Sequence, residues 1–233
     1  MNLTSYRMLC ALLCLAILGL VLMLLRRGNE TSLTLQDGEL APLVKKKGDV
    51  VKWTVPSTLR FLGQHPPCAL IKQGGQYVCK INIDVPSGTL AQFHYGCTGC
   101  PDPEVDVGSS VQFPPPAQVA ALASPSHRVV IECRGSAVAV DPAEVPDKDI
   151  QDPVTTGSVI KWFAVYGGGV ANWTLKFEPN NPCRETMPLT PGSTCTVKEG
   201  TTPGSYTYTV KVDSGDGGCN GQVGTGKINV SSR

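Results

Sequence analysis

Apolar and polar residues alternate in short runs along most of this chain, and glycine or proline closes nearly every run. Tyr206, Tyr208, Val210 and Val212 stand against Ser205, Thr207, Thr209 and Lys211. Successive side chains of an extended strand point to opposite faces, so a period of two predicts a strand with one face in a core and the other in water. The same alternation places Val51, Trp53 and Val55 on one face, and likewise Ile160, Trp162 and Ala164. Trp173, Leu175 and Phe177 form a third such set, and Tyr77, Cys79, Ile81 and Ile83 a fourth. Turn residues recur roughly every ten positions, the spacing of β-sandwiches and not of strand–helix–strand units. Ala117 to Ala123, after Pro114-Pro115-Pro116, reads as a short helix.

One stretch has neither period nor charge. Met8 to Leu25 is apolar throughout and closed by Arg26 and Arg27. At about 1.5 Å per residue it is just long enough, as a helix, to cross a hydrocarbon core. Leu24-Leu25-Arg26-Arg27 offers no small residues where a signal peptidase cuts, so an uncleaved signal-anchor is expected. The predicted order is a cytoplasmic N-terminus (1–7), a transmembrane anchor (8–25) and a polar stalk (26–43). Arg7 and the amino terminus balance Arg26-Arg27, so flanking charge leaves the orientation open. Lys45-Lys46-Lys47 falls short of the usual lipid-binding cluster of about 4–8 basic residues and is read as a solvated loop.

From Gly48 the chain repeats itself. Gly48-Asp-Val-Val-Lys-Trp53 matches Gly157-Ser-Val-Ile-Lys-Trp162, and Thr58-Leu-Arg-Phe61 matches Thr174-Leu-Lys-Phe177. Pro67-Cys68 then matches Pro182-Cys183, and Cys79 matches Cys195. The expected fold is all-β: two tandem Greek-key β-sandwich domains after an N-terminal transmembrane helix. The first domain covers 44–141, a proline-rich linker 142–153, and the second domain 154–233. A hairpin, His127–Cys133 with Ser136–Val140, is expected to supply the first domain's closing strands, with 101–126 as an inserted loop.

The second copy resembles the cupredoxins. Gly157-Ser-Val-Ile-Lys-Trp162 is similar to their opening strand, Pro203-Gly-Ser-Tyr-Thr-Tyr208 to the strand leading into their copper loop, and Gly224 to Val230 to their last strand. Immunoglobulin-like repeats use similar strands. The resemblance implies a sandwich, but its copper ligands (two His, a Cys and usually a Met) do not carry over. The Cys position, six after Gly204, is Val210, and no His follows His127. In the first copy His94 lies six after Gly88, with Cys97, Cys100 and His65 as other donors, so an electron-transfer or metal-binding protein using His65, His94 and Cys97/Cys100 is the first alternative.

Cysteine use breaks the tie over orientation. Of ten, eight lie outside the apolar stretch: Cys68, Cys79, Cys97, Cys100, Cys133, Cys183, Cys195 and Cys219. So many, without histidine at zinc spacing, predict disulfides in an oxidising compartment. The repeat predicts Cys68–Cys79 and Cys183–Cys195. Cys133 is then expected to join Cys97 or Cys100, with Cys219 taking the other. Cys97-Thr-Gly-Cys100 makes a thiol–disulfide oxidoreductase the second alternative, although no helix follows to activate a thiol. Asp213 to Gly218 lacks the spaced ligands of a calcium loop and is read as a tight turn.

A formal net charge of +1 gives no electrostatic reason for nucleic acid. No hydrolase or phosphate-binding motif occurs. The expectation is a single-pass membrane protein with its body outside the cytoplasm, non-enzymatic, binding or structural in role. It is expected to take no cofactor or metal, and to have the membrane plus a protein or other envelope or surface component as partners.

Overall fold

Trp53, Phe61 and Tyr95 meet edge to face in one core, and Trp162, Phe177 and Tyr208 repeat the arrangement in another. Centroid separations are 6.2, 5.4 and 6.1 Å in the first trio and 6.3, 5.4 and 5.5 Å in the second. The structure, a computed structural model, describes residues 30–34, 43–55, 57–85, 90–98, 104–108, 127–165 and 167–232. They are all-β and contain no helix. The expected anchor at 8–25 and the expected helix at 117–123 lie outside the described residues, and no helix among those described is long and apolar enough to cross a membrane.

Each trio marks a sandwich-like unit of two four-stranded sheets. The first unit contains β1 (Glu30–Thr34), β2 (Leu43–Lys45), β3 (Val50–Thr54), β4 (Arg60–Phe61), β5 (Ile71–Gln73), β6 (Gln76–Lys80), β7 (Leu90–Gly96) and β8 (Glu104–Gly108). Its sheets run β1-β3-β6-β5 and β2-β8-β7-β4. The second contains β9 (His127–Arg134), β10 (Ala137–Asp141), β11 (Glu144–Val145), β12 (Val159–Ala164), β13 (Asn172–Phe177), β14 (Thr194–Thr196), β15 (Gly204–Ser214) and β16 (Val223–Val230). Its sheets run β10-β9-β12-β14 and β11-β16-β15-β13. The alternation read from sequence is realised in β15, where Tyr208, Val210 and Val212 are buried while Thr207 and Lys211 are exposed. Gly226 lies opposite Tyr208, and a Cβ there would stand 2.3 Å from the phenolic oxygen, so glycine gives the ring its seat.

Three expectations require correction. Within the expected stalk at 26–43, the described residues Glu30–Thr34 and Leu43 are not free linker, because β1 pairs in parallel with β3 and β2 with β8. The hairpin at 127–141 does not close the first unit: β9 pairs in parallel with β12 and belongs to the second. The expected linker at 142–153 is structured, with Glu144 and Val145 pairing with β16 and Ile150 fully buried. These corrections share one cause. Each Trp-bearing strand needs a backbone partner on its outer edge, and the chain just before each unit supplies it: β1 beside β3, β9 beside β12. β2 and β11 then do the same for the opposite sheets, beside β8 and β16. The correspondence between the two units therefore extends further upstream than the matched residues reveal.

Candidate functional site

β9 reads His-Arg-Val-Val-Ile-Glu and is buried at every one of those positions, with no alternation. A strand buried on both faces has that character. Val129 and Ile131 enter the second unit's core, while Val130 faces the other way and joins Leu62, Ile150 and Val165 in a small separate cluster. Leu62 comes from the first unit, so this cluster is the seam between the two. A Cβ on Gly96 would lie 2.4 Å from Ile150 Cδ1, so glycine allows β7 to approach.

Polar groups lock the seam. Glu132 is fully buried, and its carboxylate accepts hydrogen bonds from Gln64 N at 2.9 Å and Arg134 Nε at 2.8 Å, with His65 Nδ1 at 3.4 Å. Arg60 donates to both carboxylate oxygens of Asp141 at 3.1 Å and to Asp147 at 2.7 Å, and Gly63 N also donates to Asp141. Burial by itself lowers the Arg60 pKa, but the hydrogen bond to Asp147 and the charges of Asp141 and Asp147 outweigh it and raise the value. A paired, bidentate guanidinium of this kind holds geometry as well as charge. A carboxylate taken wholly out of water is tolerated only when its oxygens are satisfied, as they are at Glu132.

His94 stacks on Phe163 across the seam, with ring centroids 3.8 Å apart. Desolvation, reinforced by the charges of Arg128 and Lys161, lowers its pKa to about 3. Burial likewise lowers His127 to about 4, against the opposing pull of Asp152. Both folded values lie below the ordinary 6.5, so the stability from burying these rings uncharged is present above that pH and is lost as pH falls through the folded values. Thermal midpoints are expected to decline as pH drops from about 6.5 towards about 5, above the range where carboxylates dominate. A His94→Phe/His127→Phe variant should flatten that slope; an unchanged slope would contradict the assignment.

The residues named from sequence are dispersed. His65 sits at Glu132, 47% exposed, whereas His94 is enclosed against Phe163. Counting from Gly88 puts His94 at the copper-binding position, but the aromatic trio makes Tyr95 the counterpart of Tyr208, which turns His94 to the outer face. Cys97 is buried and disulfide-bonded, so it offers no thiolate; Cys100 lies outside the described residues. Cys68–Cys79 and Cys183–Cys195 are bonded. Cys133 is bonded to Cys219, not to Cys97 or Cys100, because β9 lies in the second unit. The glycines around this bridge permit close backbone approach: a Cβ on Gly215 would meet Gly169 O at 2.1 Å, and one on Gly217 would meet Cys133 Sγ at 2.6 Å. Among the described residues, Cys183, Glu185 and Cys195 form a group with metal-ligand spacing. The two sulfurs are bonded to each other, and Glu185 already accepts from Thr196 N and Oγ1, so the chemistry of the set is that of a staple.

A cleft of about 630 Å³ opens between 178–182, 198–202 and the start of β15. Its walls carry Glu178, Asn180, Lys198, Thr202 and Ser205, with half-buried Tyr206 donating to Thr202 O at 2.7 Å. Asn181 is committed internally, donating to Glu185 O and accepting from Cys183 N. The lining holds hydroxyls, amides, one Lys and one Glu, and neither His nor a thiol. Such a lining offers hydrogen-bond donors and acceptors. The sequence pattern singles out none of the seam residues Arg60, Glu132, Asp141, Asp147 and Phe163. Its one readable signal is Val129-Val130-Ile131, whose unbroken apolarity departs from the alternation elsewhere.

No family model matches the chain, and no curated protein is found to be similar. Among solved structures, one similar chain is "Endo-fucoidan hydrolase MfFcnA9 from glycoside hydrolase family 107", at 12% identity and a TM-score of 0.21, with 82% of this chain covered. The match spans 32% of that protein's length.

Proposed function

We propose that this chain is a membrane-anchored, extracytoplasmic scaffold whose two tandem Greek-key, cupredoxin-like sandwiches serve a binding or structural role without catalysis. The carrying observation is the oxidised state of every described cysteine: Cys68, Cys79, Cys97, Cys133, Cys183, Cys195 and Cys219. Seven sulfurs committed to bridges belong in an oxidising compartment. The locked seam supports a rigid tandem over two beads on a string, because its contacts mix apolar packing with the Arg60 and Glu132 networks. The cleft beside Tyr206 is the contact point for a partner from the envelope or cell surface, and its hydroxyls and amides suit a polar, hydrogen-bonding surface.

Alkylation of the full chain in its native membranes, read by mass spectrometry with and without reductant, tests this. The expected result is no labelling of those seven cysteines until reductant is added. Ready labelling of Cys97 or Cys133 in unreduced membranes would overturn the compartment and the stapled scaffold together.

A further inference from the structure

The first unit has two ends, and its strand pairing assigns its loops to one or the other. Arg60, paired with Gly96, lies at the end held by the second unit through Asp141, Asp147 and Ile150. Glu30 pairs with Val50, and Val50 with Lys80, so β1 begins and β6 finishes at the opposite end. The turn between β2 and β3 is there too, since Gly48 N donates to Ile81 O. Glu30 therefore stands at this end, as do Lys45, Lys46, Lys47 and Lys80.

The carboxylates at this end are committed. Asp49 is buried and accepts from Lys46 N, Glu30 pairs with Lys52, and Asp84 pairs with Lys47. Lys46 and Lys80 are exposed and have no ion-pair partner among the described residues. Read linearly, three lysines are a short run; the fold adds Lys80 from a distant strand end.

We propose that this end of the first unit is a membrane-docking face that binds anionic phospholipid headgroups through Lys46 and Lys80, seating the body against the bilayer. This rests on the anchor assigned above, because the docking is intramolecular to an inserted helix. Lysines near an anionic surface attract it over about a Debye length, and each shifts the docked equilibrium about fivefold. The second unit then projects away from the bilayer, since it is joined to the opposite end.

Hydrogen exchange of the full chain in phospholipid nanodiscs tests the face. Discs of phosphatidylcholine alone are compared with discs containing phosphatidylglycerol. Residues 45–49 and 80–84 should exchange several-fold more slowly in the anionic discs, with no change at 73–76 at the other end. Lys46→Glu/Lys80→Glu should abolish the difference, and Lys46→Arg/Lys80→Arg should keep it. Equal exchange in both lipids, or protection that survives charge reversal, overturns the proposal. Carbonate extraction of the same membranes separates the two readings. A chain released by carbonate refutes the anchor, whereas a retained chain without lipid-dependent protection refutes the docking face alone.

Discussion

Trp162→Ala is expected to lower the stability of the second unit by about 3–5 kcal/mol, the usual cost of emptying a large aromatic site. Trp162 is 1% exposed and presents its ring to Phe177 at 6.3 Å and to Tyr208 at 5.4 Å. Removing the indole forfeits its burial and two edge-to-face contacts, and a close-packed core relaxes only partly around the cavity left behind. Trp53→Ala should match it in the first unit, because the trio there is the same. Val223→Ala, at a residue 55% exposed, should change stability by no more than about 0.5 kcal/mol. Denaturant midpoints read these differences. A loss below about 1 kcal/mol for Trp162→Ala would mean that the trio is not the organising contact of the unit.

The second large effect belongs to Cys133–Cys219. Its sequence separation is 86, against 11 for Cys68–Cys79 and 12 for Cys183–Cys195. A cross-link restricts the unfolded chain more when the loop it closes is longer, which on the chain-entropy account is about 4–5 kcal/mol for the long bridge and about 3 kcal/mol for each short one. The long bridge also ties the end of β9 to the loop after β15, where Gly169 and Gly217 already bring two backbones together. Cys133→Ala/Cys219→Ala should therefore lower the denaturant midpoint more than Cys68→Ala/Cys79→Ala does. The reverse order would show that native contacts, and not loop closure, carry the difference.

Much of the framework is legible in the order of residues because it is written locally. Alternation at Tyr206 to Val212 specifies a strand and its buried face within seven residues. Paired blocks around Trp53 and Trp162 anticipate the two matching aromatic trios, and the two short disulfides follow from cysteines at matching places in those blocks. The seam is not legible in that way. Arg60, Glu132 and Asp141 look like ordinary surface charges until another unit removes their water. His94 reaches a ligand position only through a glycine count that is out of phase with the strand, whose inward ring is Tyr95.

Strand type, inward face, repetition and the short staples are thus properties of the chain's own order, since they depend on neighbours within a few residues. Which edge each upstream segment joins, which unit owns β9, where Cys133 finds its partner and which lysines share an end are decided by the folded molecule. A backbone edge accepts any strand whose hydrogen bonds fit, whatever its side chains, and a bond across 86 residues depends on distance in space. The Glu30–Thr34 segment, with one apolar side chain and a full parallel register beside β3, shows how little of that choice its residues declare.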